Sequence, residues 1–77
     1  MNNKDRKFLK EIKDFIENYA PAVEELQGEL EERYDNVDLY FPQSTKAIQL
    51  QTEAYEVGCI FDDMYATHEK IEELLEE

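Results

Sequence analysis

One run of residues restricts the folding of this chain more than any other: Ala47, Leu50, Ala54, Val57, Phe61, Met64, His68, Ile71 and Leu75. Their spacing alternates three and four throughout, which is the seam of an amphipathic α-helix held for about four heptads. Ile60 and Leu74 widen the seam on one side, and Tyr55 and Tyr65 add to it elsewhere. The face is thus broad rather than a narrow zipper. With Ser44 as a good N-cap, the helix is expected over about residues 44–76 and would run roughly 50 Å at 1.5 Å per residue. A helix of that length needs a partner along it.

The first half of the chain offers one. Phe8, Leu9, Ile12, Phe15, Ile16 and Tyr19 recur at helical spacing, as do Ala22, Val23, Leu26 and Leu30, reaching Tyr34. Pro21 stands between the two groups. Proline inside a helix removes a hydrogen bond and biases the preceding residue away from helical angles, so helices over about 4–19 and 21–34 are the simpler expectation. The series 8, 12, 15, 19, 22, 26 nevertheless keeps one register across the proline, with Leu30 beside it. One kinked helix from about residue 4 to residue 34, paired antiparallel with the long helix, is the alternative. Residues 35–43 are expected to form the connecting loop, with Asp35-Asn36 turn-prone. Leu39, Tyr40 and Phe41 in that loop either cap the open end of the core or stand exposed as an aromatic patch. The expected fold is therefore all-α, a single helical domain over residues 1–77 built as a small bundle or a kinked antiparallel hairpin with a long C-terminal helix. The apolar face of the long helix, with Phe8, Phe15, Phe61, Tyr55 and Tyr65, is large for so thin a structure. A homodimer forming a larger helical bundle fits that excess.

Composition narrows the function. The chain of 77 residues carries a formal charge of −12, which argues against direct binding to nucleic acid or to anionic membranes. It favours a partner with a basic surface. The charge is polarised: residues 1–20 are net +1, residues 21–43 net −6 and residues 44–77 net −7. The single cysteine, Cys59, precludes an internal disulfide and fits a reducing compartment. No signal-peptide apolar region or membrane-spanning run is present, so the expected location is cytoplasmic.

Chemistry-bearing patterns are sparse. His68, the only histidine, sits in the apolar seam, where a hydrogen bond to Tyr65 or to a facing acid is expected. A metal ligand, a catalytic base and a pH-sensitive interface are the other readings. Cys59 has no histidine at metal or nucleophile spacing. Acidic pairs such as Glu29/Glu32 and Glu53/Glu56 raise a remote alternative, a magnesium-dependent helical nucleotide hydrolase. The seam, however, is filled by Val57, Phe61, Met64 and Ile71 rather than acids, and only Lys46 and Lys70 could meet phosphates in the C-terminal half. No cofactor, metal or catalytic residue is expected. Gly58, mid-helix beside the seam, reads as a point of close helix approach or as a hinge.

The surface is what remains. Glu53, Glu56, Asp62, Asp63, Glu69 and Glu73 form the expected acidic interaction face, continued by Glu76 and Glu77. Tyr40, Phe41, Tyr55 and Tyr65 form the expected aromatic one. Carboxylates spaced along rigid helices resemble a row of phosphates to a basic groove. The leading expectation is a non-enzymatic, acidic protein-protein interaction module, including an inhibitor that occupies the nucleic-acid-binding site of a basic protein. The alternative is a helical adaptor or small subunit that binds a partner or itself through its apolar and aromatic helix face.

Overall fold

The computed structural model describes Met1 to Glu76; Glu77 lies outside the described residues. Two helices make up the chain, α1 (Asn3–Tyr40) and α2 (Thr45–Glu76). A four-residue turn, Phe41–Ser44, folds α2 back along α1 as an antiparallel hairpin 57 Å long and about 15 Å across. At 1.5 Å per residue, the 38 residues of α1 account for that whole length.

The ends are set by local chemistry. Asn2 caps α1: the Asp5 amide donates to Asn2 Oδ1 at 2.9 Å, while the Asp5 carboxylate accepts from the Asn2 amide at 3.4 Å. At the far end the Phe41 amide donates to the Val37 carbonyl. Gln43 takes a left-handed conformation, φ 56°, and its amide donates to Asp38 Oδ1 at 3.1 Å. Ser44 then caps α2 as the sequence suggests, accepting from the Ala47 amide at 3.1 Å. Arg6 reaches across and donates to the Leu75 carbonyl at 3.1 Å, placing a cation at the negative end of α2.

Two boundary expectations are corrected. α1 runs through Pro21 rather than breaking into helices 4–19 and 21–34, and it continues through 35–40 rather than ending at a loop from residue 35. Pro21 is exposed, as is Glu17, whose carbonyl loses its helical donor to the proline. On both sides of it the seam is occupied, by Ile16 and Ala20 before and Val23 and Leu30 after, and that packing holds the helix across the proline. Residues 35–40 stay helical because Tyr34 and Val37 keep the seam going to meet the start of α2.

Every expected seam position on α2, from Ala47 to Leu75, is buried or half-buried, and Ala47 is fully enclosed. On α1 the expected register 8, 12, 15, 19, 22, 26 is off by one residue except at Ile12, which is half-buried against the core. Leu9, Ile16, Val23, Leu30 and Tyr34, also expected, do lie inside. The inner positions are Leu9, Lys13, Ile16, Ala20, Val23, Gln27, Leu30, Tyr34 and Val37. Phe8, Phe15, Tyr19 and Leu26 are instead 42–62% exposed. The reason is length. The 8–26 series runs out into Glu29 and Arg33, whereas the 9–37 series matches α2 position for position to the turn.

The core has two parts. Ile16, Ala20 and Ile71, with Leu9, Ile12, Phe61, Met64 and Leu75 against them, form one. Leu30, Leu50 and Ala54, with Tyr34, Val37 and Val57, form the other, next to the turn. Gln27 and Gly58 face each other between them: a Cβ built on Gly58 would stand 2.5 Å from Gln27 Nε2. Gly58 is therefore a point of close approach, with α2 continuous through it and no hinge.

Candidate functional site

Two surface regions carry what the interior does not use. The first is the tip of the hairpin. Leu39, Tyr40 and Phe41 are 72%, 75% and 67% exposed. They do not cap the core, because Val37 and the half-buried Ser44 already close its end. Ile48 and Tyr55, two turns apart on the outside of α2, continue the apolar exposure away from the tip. Tyr55 also borders a shallow groove with Gln27, Glu31, Tyr34, Asp35, Gln51 and Ala54. The expected aromatic residues Tyr40, Phe41 and Tyr55 thus belong to one end of the rod. Tyr65 does not. It lies half a helix away, packed edge-on against Phe61 at 4.9 Å between ring centres.

The acids expected on α2 lie on its outside. Glu56, Asp62, Asp63, Glu69 and Glu73 are exposed, and Glu53 is half-buried on the flank. The antiparallel fold changes the meaning of this row. The C-terminal half of α2, with Asp62, Asp63, Glu69 and Glu73, runs beside the lysine-bearing start of α1. Residues 1–20 and 60–76 together are net −4, while residues 21–59, the half that ends in the tip, are net −7. The stronger negative field therefore surrounds the exposed aromatic end.

The second region is an ionic cluster between the helices that the sequence hints at but does not assemble. His68 Nε2 lies 2.8 Å from Glu17 Oε1, and Nδ1 lies 3.5 Å from Glu72 Oε1. Lys13 Nζ is 3.7 Å from both carboxylates. The facing acid expected for His68 is Glu17, supplied by α1. The His68 hydrogen bond, opposed by desolvation and aided by the nearby charge of Lys13, holds the Glu17 carboxyl below its ordinary pKa. The ligand atoms of Glu17, His68 and Glu72 lie within 4.8 Å of one another, the one such group among the described residues. The single charge of Lys13 is shared between the two carboxylates, and the two ring nitrogens face different acids. The arrangement reads as a latch joining α1 to α2. The i, i+4 spacing of His68 and Glu72 was visible in the sequence; the Lys13 and Glu17 contribution depends on the pairing of the helices.

Cys59 is free and exposed. No helix among the described residues is long and apolar enough to cross a membrane. No protein-family model, curated protein or solved structure matches this chain.

Proposed function

We propose that this chain is a non-enzymatic interaction module that binds a protein with a basic surface stoichiometrically, anchored by the tip residues Leu39, Tyr40 and Phe41. The observation that carries the reading is their exposure at the end of a helical rod 57 Å long. Large aromatic groups in water are costly to a monomer and serve as anchors when a partner desolvates them. The carboxylates around the tip, among them Glu31, Glu32, Asp35, Asp38 and Glu56, supply the field that steers a basic partner towards those anchors. Binding of this kind needs no cofactor and no catalytic residue.

A second reading is favoured by the shape and the charge together. A narrow rod 57 Å long bearing 20 acidic residues has the form of a nucleic-acid mimic, which would occupy the basic groove of a nucleic-acid-binding protein. The two readings separate by variant. Partners are captured from an extract of the source cells at low and high salt, using the wild type, Tyr40→Ala/Phe41→Ala, and Asp62→Lys/Asp63→Lys/Glu69→Lys. The anchored reading requires the partner to be lost with the tip variant and kept, more weakly at high salt, with the charge reversal. Loss with the charge reversal and at high salt, with the tip variant unaffected, selects the mimic. Retention by both variants refutes both.

A further inference from the structure

α1 carries a second seam that its own partner helix leaves largely uncovered, Ile12 alone also packing against the core. Phe8, Ile12, Phe15, Tyr19, Ala22 and Leu26 repeat at intervals of four and three, and no charged residue interrupts them. The next positions of the same series, Asp5 before and Glu29 after, are charged. Phe8, Phe15, Tyr19 and Leu26 are 62%, 58%, 53% and 42% exposed, although they are among the largest apolar groups in the chain. Phe15 and Tyr19 already stack on each other at 4.5 Å between ring centres. The Glu17–His68–Glu72 contacts fix which flank of the hairpin is polar. The stripe runs along the opposite flank, where Ile60 and Leu74 of α2 are also exposed. Alternating intervals of three and four are what a facing helix reads, so the geometry calls for a helical occupant.

We infer that the occupant is a second copy of this chain, with the two α1 helices packed antiparallel along residues 8–26 about a two-fold axis near residue 17. Charge selects both the partner and its direction. Residues 1–13 carry five basic and two acidic side chains, net +3, and residues 21–33 carry one basic and five acidic, net −4. Antiparallel pairing about residue 17 sets each segment against the other in the second copy, and the apolar residues then meet as Phe8 with Leu26, Ile12 with Ala22 and Phe15 with Tyr19. Parallel pairing would set like charge on like. The area also fits. Phe8, Phe15, Tyr19 and Leu26, with Ile60 and Leu74 of α2 beside them, are each about half exposed and offer roughly 600 Å² per copy at typical aromatic and aliphatic sizes, near the lower bound of stable interfaces. The product is a four-helix bundle with both aromatic tips and the outer acids of α2 left free, so the inference does not depend on what the tips bind.

The test uses analytical ultracentrifugation of the full chain with site-directed cross-linking. The wild type is expected to sediment as a dimer at micromolar concentration. Phe15→Glu should raise the dissociation constant about a hundredfold, because the axis places the change in both copies. Circular dichroism should stay helical, since Phe15 faces water in the single hairpin. In a Cys59→Ser background, Asn18→Cys lies near the axis and should cross-link to its twin through a short bis-maleimide. Lys4→Cys should not, because its twin would lie about 39 Å away along the bundle. Cross-linking of both variants would overturn the antiparallel arrangement. A chain still monomeric a hundredfold above the micromolar range, at about 100 μM, or a dimer that Phe15→Glu leaves intact, would overturn the interface itself.

Discussion

The two glycines make a sensitive probe of how α1 and α2 are aligned. Each is helical with negative φ, so alanine fits the backbone at both positions and should gain about 1 kcal/mol of helix propensity. Their surroundings differ. A Cβ at Gly28 meets nothing within 4 Å. A Cβ at Gly58 meets Gln27 Nε2 at 2.5 Å and Gln27 Cδ at 3.1 Å. These atoms end a flexible side chain, so the amide swings aside at about 0.5–1.5 kcal/mol of rotamer cost. Gly28→Ala should therefore stabilise by about 1 kcal/mol, a rise in Tm of about 4–8 °C for a domain of this size. Gly58→Ala alone should be near neutral. In a Gln27→Ala background Gly58→Ala should recover its full gain, a coupling of about 0.5–1.5 kcal/mol. The assay is urea and thermal unfolding by circular dichroism at one fixed protein concentration, since association shifts apparent stability. Equal gains from both glycine changes, with no coupling to Gln27, would refute the alignment that sets Gly58 against Gln27.

Three further outcomes follow from the same packing. Pro21→Ala should stabilise by up to about 3 kcal/mol with unchanged helix content, because the proline lies inside a continuous helix; no gain in chemical denaturation would mean that the helix breaks there. Leu50→Ala or Ile71→Ala, each removing a buried side chain from one part of the core, should cost about 2–5 kcal/mol, read from the urea midpoint, against about 0.5 kcal/mol or less for an exposed Glu73→Ala. The Glu17 pKa is lowered in the fold, so its contribution is present above the ordinary carboxylate value of 4.5 and disappears as pH falls through the lower, folded value. Acid also relieves the repulsion of a −12 chain, so the readout is the difference between wild type and Glu17→Gln: wild type should be the more stable above pH 5 and lose that advantage on acidification, and a difference independent of pH would remove the latch from the account.

The α2 face was legible because the helix has one apolar seam, and nothing competes with Ala47 to Leu75 for the inner position. On α1 two seams compete. The more hydrophobic one, Phe8 to Leu26, is the natural choice from sequence, and the fold buries the longer one that includes Lys13 and Gln27. Hydrophobicity alone does not distinguish a seam for the chain's own helix from a seam for something else; matching its length to the partner helix does. Pro21 misled for a related reason, since local propensity argues for a break while the register on either side argues against it. The exposed tip was one of two readings of Leu39–Phe41, and deciding between them required knowing that Val37 reaches far enough to close the core. The separation of Tyr65 from Tyr40 and Phe41 follows from the expected long helix, whereas the placement of Asp62 and Asp63 beside the basic start of α1 needs the antiparallel hairpin, which the sequence offers as one of two readings.

The central claim is that the tip is where a partner is held. Hydrogen–deuterium exchange on the free protein and on its complex with the captured partner tests it most directly. The turn amides of Phe41, Gln43 and Ser44 are each held only by one local hydrogen bond at the open end of the hairpin and exchange through local opening, so they should gain the largest protection on binding, with Tyr40 and Ile48 close behind. Protection confined to residues 62–73, or spread evenly along the rod with the turn unchanged, would contradict the account and leave the charge of the helices as the binding determinant.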